Sequence, residues 1–223
     1  MLDILYEDDA LVFINKPAGI VVQQRMHSPE EKYLHAEVQK HTTAWLMQRL
    51  DRGTSGVIFF SKRADLNVRL TRQFEKKRIR KRYLAICEGE LGERQTIDAP
   101  IARAGAIKFA VRENGKRAIT HVHPLHTTKQ GSLLAIVLET GRTHQIRVHL
   151  SAIGHALAGD WLYGVRNDVR PMLHAAELEM THPLTGQPLR VAAPLPDDFL
   201  DEARRRGIVI DGGQERHLED AAK

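Results

Sequence analysis

Apolar and polar positions alternate along the chain in a way that predicts several short strands and few helices. Residues 2–6 and 10–15 are two short apolar runs joined through Glu7, Asp8 and Asp9, the pattern of a hairpin that ends in the loop Lys16, Pro17, Ala18 and Gly19. Residues 23–48 are polar with weak periodicity and predict a loop with a short helix. Residues 56–61 (GVIFFS) are bounded by glycine and charge, which suits a buried strand. Leu66, Leu70 and Phe74 then recur at i, i+4 and i+8, so an amphipathic helix is predicted over 64–77. The strand pattern returns at 81–87 (KRYLAIC), and 119–125 with 133–139 predict a strand pair across the turn Thr128, Lys129, Gln130 and Gly131. Farther on, Thr143 is the expected N-cap and Gly154 the expected stop of a second helix, with Ile146, Leu150 and Ile153 on one face and Arg147 on another. Strands outnumber helices and short turns link several of them. The expected class is α+β, one domain over 1–200 with a mixed, largely antiparallel central sheet and flanking helices. Residues 201–223 are expected to form a peripheral charged tail, helical or frayed.

Composition narrows the setting. The 223 residues are 42% hydrophobic and 27% charged, as in a folded, water-soluble protein rather than a disordered one. The longest apolar run, residues 133–138, is far shorter than the roughly 20 residues a membrane helix needs. Acids at 3, 7, 8 and 9 fit neither a signal peptide nor a transit peptide, and the single cysteine, Cys87, cannot form an internal disulfide. A cytoplasmic protein without membrane association is expected. The net charge is +5, but it is unevenly placed. Between 69 and 82 stand Arg69, Arg72, Lys76, Lys77, Arg78, Arg80, Lys81 and Arg82 against Glu75, whereas from Pro194 onward eight acids face five bases. Such a basic run is either a solvated helix face or a surface for a polyanion.

Candidate chemistry centres on residues 48–56 (QRLDRGTSG), a polar, glycine-rich segment ahead of the predicted buried strand. Asp51 lies between Arg49 and Arg52, which favours its ionised form if the side chains approach. The plainer alternative is a turn aspartate held by the backbone at Thr54 and Ser55. GTSG matches neither a phosphate loop nor an esterase elbow. Zinc is not expected: His144 and His149 lack the HExxH glutamate, and His121, His123 and His126 have no cysteine near them. Of the few internal acids, only Asp51 and Asp160 lie in glycine-bracketed polar segments suited to a site, so one working carboxylate with arginine partners is a more natural reading than a glycosidase pair.

RLDRGTSG at 49–56, KRYLA at 81–85, GRTHQIRVHL at 141–150, GDWLYG at 159–164, LHA at 173–175 and HPLTGQPL at 182–189 together resemble the RluA-type pseudouridine synthases. The opening LDILYEDDALVFINKPAGIVV is similar to the start of the same catalytic domain, and the six motifs stand in family order over nearly the whole chain. The resemblance implies a cofactor-free, metal-free isomerase that breaks the N-glycosidic bond of a uridine in RNA, turns the uracil and rejoins C5 to the ribose. It makes Asp51 the essential aspartate, attacking the sugar or removing a sugar proton. Tyr83 becomes the aromatic residue on the base, Arg147 the cation paired with the aspartate, and Arg49 the arginine that fills the gap left by the flipped nucleotide. Two positions depart from the family pattern. Gln48 replaces the histidine usual before RLD, and Gln23 and Gln24 stand where a histidine usually follows NKPAG. No accessory RNA-binding domain is expected before residue 2, so tRNA or an rRNA stem-loop is the expected partner of a monomer.

These implications agree with elementary physics. A base inside a helical stack must be extruded before it can be turned, at a cost of a few kcal/mol. A guanidinium can fill the vacated space by stacking. An aspartate desolvated beside phosphates needs a fixed counter-cation, and an aromatic face holds a base by stacking worth about 1–3 kcal/mol. Given the resemblance, the basic run is expected to meet RNA phosphates. Arg52, Arg142 and His144 join Arg49 and that run as expected RNA contacts. The rival reading is a non-catalytic RNA-binding protein on the same fold, favoured only by Gln48.

Overall fold

The computed structural model describes residues 1–23, 32–165 and 169–210. In chain order the elements begin with β1 (Ile4–Glu7), β2 (Leu11–Lys16), α1 (Leu34–His41), β3 (Trp45–Leu46), β4 (Ser55–Ser61), α2 (Asn67–Glu75) and β5 (Arg80–Cys87). They continue with β6 (Gln95–Asp98), β7 (Ile101–Arg103), β8 (Phe109–Val111), β9 (Ile119–Thr128), β10 (Gly131–Leu138), α3 (Gln145–Ala152), β11 (Leu173–Thr181), β12 (Pro188–Ala192) and α4 (Asp197–Arg205). The α+β class expected from the sequence is borne out. The chain divides into two compact units, residues 1–81 with 175–194 and residues 82–174 with 195–223. Among the described residues no helix is long and apolar enough to cross a membrane.

In the first unit the predicted hairpin forms as β1 and β2, and β2 runs antiparallel to β4 from Leu11 opposite Ser61 to Lys16 opposite Gly56. Every residue of β4 is buried, as its unbroken apolar run requires. Successive strand residues point to opposite faces, and both faces of β4 are covered. Phe59 stacks on Phe13 and on Phe74 of α2, while Phe60 stacks on His35 of α1. The helix expected over 64–77 opens as a 3-10 turn at Ala64–Leu66 and continues as α2, burying Leu66 and Leu70 as the spacing predicts. β11, from Ala175 on, follows β4 in sheet order, and β12 pairs with β11.

In the second unit β10 lies between β5 and β9, and β6 pairs with the far side of β9, all antiparallel. The predicted turn closes with the Thr128 hydroxyl donating to the Gly131 carbonyl. α3 packs against β8 and β9. Its start differs from expectation. Thr143 is not the N-cap; the helix begins at Gln145, after His144 in the left-handed region at φ 57°. No side chain caps the helix; its first residue, Gln145, instead anchors it, Oε1 accepting from the Arg142 backbone N–H and the Thr140 hydroxyl and Nε2 donating to the Ile119 carbonyl. A longer amide reaches both the preceding turn and β9, which a threonine could not. Gly154 does end the helix region, at φ 85°.

The boundary expected at residue 201 falls within α4. Phe199, Ala203 and Ile208 are buried, and Arg206 donates to Glu88, Glu202 and the Gln130 carbonyl. One apolar stripe in a polar segment is enough to dock a helix. Residues 211–223 lie outside the described residues, as does Gln24.

Candidate active site

The Asp51 loop is built from beneath by a buried lysine. Lys16, at the end of β2, is fully buried, and its ammonium donates to the carbonyls of Pro17 at 2.8 Å, Ile20 at 3.0 Å and Arg52 at 3.3 Å. An ammonium has three N–H donors, and these three carbonyls tie the NKPAG loop to the RLDRGTSG loop. The same two loops exchange further bonds. The Gly19 N–H donates to the Arg52 carbonyl at 2.7 Å, and Arg52 Nε donates back to the Gly19 carbonyl at 3.0 Å. Asp51 opens a turn in which the Thr54 N–H donates to its carbonyl, and its flank Leu50 is buried while Arg49 is exposed. The turn leads into β4 at Gly56, which has φ 106°, and a Cβ there would stand 2.2 Å from the Ala175 carbonyl oxygen. The last glycine of RLDRGTSG is thus a steric requirement of strand packing beside LHA, not a site for a ligand.

The second unit holds Tyr83 and Arg147. Tyr83 is buried in β5 opposite Ile136 of β10. Arg147, on the first turn of α3, is buried and forks onto Asp160, Nε to Oδ2 at 2.7 Å and Nη2 to Oδ1 at 2.8 Å. Asp160 is itself fully buried, and its Oδ1 also accepts from the N–H groups of Leu162 at 3.1 Å and Tyr163 at 3.2 Å. The guanidinium lies over the Tyr163 ring, 5.1 Å from its centre, a cation–π contact. The Tyr163 hydroxyl pairs with His144 Nδ1 at 2.8 Å and accepts from the Phe109 N–H at 3.0 Å. GDWLYG therefore serves as a cradle for GRTHQIRVHL: Asp160 holds the edge of the Arg147 guanidinium and Tyr163 covers one of its faces. A fork of two charge-assisted bonds fixes a planar group in orientation as well as position, and the fork leaves three of the five guanidinium N–H donors for other partners.

Asp160 is a positioning residue that the sequence reading singled out but gave no role. Its glycine-bracketed setting was the available signal. Lys16 was missed, because a lysine in a loop reads as solvated unless its burial is known. His144, expected to touch RNA, is half-buried between the Tyr163 and Phe109 rings, and Arg142 is exposed with Nε donating to the Arg117 carbonyl.

The basic run is not one surface. Lys76, Lys77 and Arg78 are exposed in the turn after α2, Arg80 is exposed at the start of β5, and Arg69 and Arg72 are exposed on α2, Arg69 donating to the Pro183 carbonyl. Lys81 and Arg82 depart from this pattern. Lys81 packs its ammonium over the Phe74 ring at 5.7 Å, and burial pushes its pKa below the ordinary lysine value. Arg82 is buried within β5. β5 passes from the exposed Arg80 into the buried interior by Arg82, a change along the strand that a count of charges does not register. Among the described residues no three His, Cys, Asp or Glu side chains gather as metal ligands. His121 instead bridges Thr96 and Glu139, and His149 bridges Thr120 and the Ala99 carbonyl.

The family described as RNA pseudouridylate synthase matches residues 10–152, a span that includes Asp51, Tyr83 and Arg147. The chain belongs to this family. It is 40% identical over 217 residues to the ribosomal large subunit pseudouridine synthase D of Nitrosomonas europaea, covering 89% of this chain and 63% of that protein. It is 35% identical over 224 residues to the protein of the same name from Haemophilus influenzae, covering 90% and 69% respectively. The chain thus spans roughly two thirds of the length of these pseudouridine synthases. The fold is also that of human RNA Pseudouridylate Synthase Domain Containing 4, with a TM-score of 0.76 at 24% identity, covering 94% of this chain and 95% of that one. Human RNA Pseudouridylate Synthase Domain Containing 1 gives 0.74 at 27% identity, covering 95% and 97%.

Proposed function

We propose that this chain isomerises uridine to pseudouridine in ribosomal large-subunit RNA. The observation that carries this reading is the family match across 10–152, joined to the names of relatives at 35–40% identity. In the reaction the N1–C1′ bond breaks, the uracil turns, and a C5–C1′ bond forms while C5 loses a proton and N1 gains one. Atoms and charge balance without an oxidant, a reductant or a cofactor. Asp51 supplies the carboxylate that acts on the sugar, Tyr83 the aromatic face for the base, and Arg147 the fixed counter-charge. Support for Arg147 in that role is its fork to Asp160: a cation already oriented pays no reorganisation at the moment of reaction. Exposed Arg49 and Arg52, with Lys76, Lys77, Arg78 and Arg80, supply phosphate contacts. The protein acts as a cytoplasmic monomer.

The test is Asp51→Asn, which removes the carboxylate but hardly changes volume. Pseudouridine formation in a mixed RNA pool is expected to vanish while RNA affinity stays within a few-fold. Retained turnover in the purified variant would overturn the assignment. Mapping pseudouridine in large-subunit rRNA from cells with and without the protein identifies the uridine, and an unchanged map there would exclude rRNA as the substrate.

A further inference from the structure

The second unit carries an open cleft of about 440 Å³ apart from the Arg147 fork. Its walls are Ile101, Ala102 and Arg103 of β7, Phe109 of β8, the turn Asn114, Gly115 and Lys116, and Gly141, Arg142 and Thr143 ahead of α3. Three of the ten lining residues are cations and none is an acid. Arg103, Lys116 and Arg142 are all exposed. In water, like charges gathered on one concavity repel, so such a lining costs stability unless an anion fills it.

Two of the cations are held in place by backbone. Arg103 donates through Nε to the Gly105 carbonyl at 3.0 Å and through Nη2 to the Ala106 carbonyl at 2.5 Å. Arg142 donates through Nε to the Arg117 carbonyl at 3.0 Å. These are neutral acceptors, so the charges are oriented without being neutralised. The Lys116 side chain makes no hydrogen bond or ion pair among the described residues. Its turn is nevertheless rigidly seated: Lys116 and Ile101 exchange both backbone bonds at 2.9 Å, and a Cβ on Gly115 would stand 2.7 Å from the Ile101 nitrogen. The cleft is therefore a built feature of β7 and the turn, with Phe109 providing an apolar wall braced by His144.

We infer that this cleft grips the phosphodiester backbone of the RNA substrate, outside the nucleotide that is isomerised. The inference rests on the proposed activity for the identity of the polyanion. The cations themselves call only for phosphate, and RNA is the phosphate polymer this family modifies. Planar guanidiniums in fixed orientation suit tetrahedral phosphate oxygens, and a mobile ammonium supplies a further point charge.

The test is the double variant Arg103→Gln with Lys116→Gln, both at exposed positions, compared with the charge-keeping pair Arg103→Lys with Lys116→Arg. RNA affinity is measured across a salt series, and pseudouridine formation by the unaltered protein is measured in parallel. The glutamine pair is expected to weaken RNA binding on the order of tenfold near 0.1 M salt and to make the slope of log K against log salt shallower by about 1.4–1.8, for two phosphate contacts. The charge-keeping pair should retain most of the slope. An unchanged slope in the glutamine pair, with pseudouridine still formed by the unaltered protein, overturns the cleft assignment alone. A shallower slope with no pseudouridine formed supports the cleft and overturns the activity. Calorimetry with inorganic phosphate and with uridine monophosphate separates the sources: tight binding of either that the glutamine pair abolishes, with RNA affinity unchanged, would make the cleft a small-molecule site instead.

Discussion

Arg147 and Asp160, thirteen residues apart, are joined by a buried two-bond fork in which neither group has bulk water to screen it. The resemblance gave Arg147 a partner in Asp51; the fork shows that its orientation is set first within its own unit, by the turn of GDWLYG. Because both charges are buried, removing one leaves the other uncompensated, at a cost of about 3–5 kcal/mol.

Asp160→Asn and Arg147→Met are therefore each expected to lower stability by about that amount, read from urea unfolding. The combined variant should lose clearly less than the two losses added, because the second change removes the orphaned charge. Additive losses would mean that the fork contributes no coupling. Pseudouridine formation should fall in both single variants, and Arg147→Lys should retain part of it, since an ammonium keeps the charge but not the fork.

Lys16→Met should loosen two loops that are distant in sequence. Three carbonyls lose the ammonium, although that of Arg52 keeps the Gly19 N–H, and a buried carbonyl left unsatisfied costs about 1–3 kcal/mol. Amide exchange is expected to speed up at residues 17–20 and at 51–54 together, with turnover reduced. Faster exchange confined to 17–20 would show that Lys16 does not support the Asp51 loop.

Gly56→Ala places a methyl group against the Ala175 carbonyl at a backbone angle that alanine resists. Overpacking and backbone strain each cost about 1–3 kcal/mol. A fall in Tm of about 5–15 °C is expected. An unchanged Tm would refute the steric role.

His149 should make the fold sensitive to mild acid. Its buried ring accepts from the Thr120 hydroxyl at Nδ1 and donates to the Ala99 carbonyl at Nε2, so the neutral form fits, and burial holds the pKa below the ordinary histidine value against the smaller opposing effects of the Ala99 bond and the Asp98 charge. Between that lowered value and about 6.5 the unfolded chain binds the proton and the folded one does not. Stability is thus fully present above about pH 6.5 and is lost as pH falls through the lowered value. Denaturation midpoints should drop between pH 7.5 and 5, and the His149 NMR signal should show no titration near 6.5. A midpoint at 6.5 would contradict the assignment.

Local order was legible in the chain because water acts on each segment separately. The unbroken apolar run of β4 and the Leu66, Leu70 and Phe74 stripe predicted their elements, since burial on two faces or one imposes those patterns. The motif order likewise placed Asp51, Tyr83 and Arg147 on a loop, a strand and a helix. Tertiary packing alone decided which groups became partners. Nothing in the local pattern around Lys16 says that its ammonium is sealed beneath Arg52, that Asp160 rather than a nearer acid forks onto Arg147, or that Arg82 turns inward while Arg80 faces water. Patterning records only how wet a segment is. A charge becomes buried when distant segments close over it with enough donors and acceptors to replace its water, and that depends on where those segments meet.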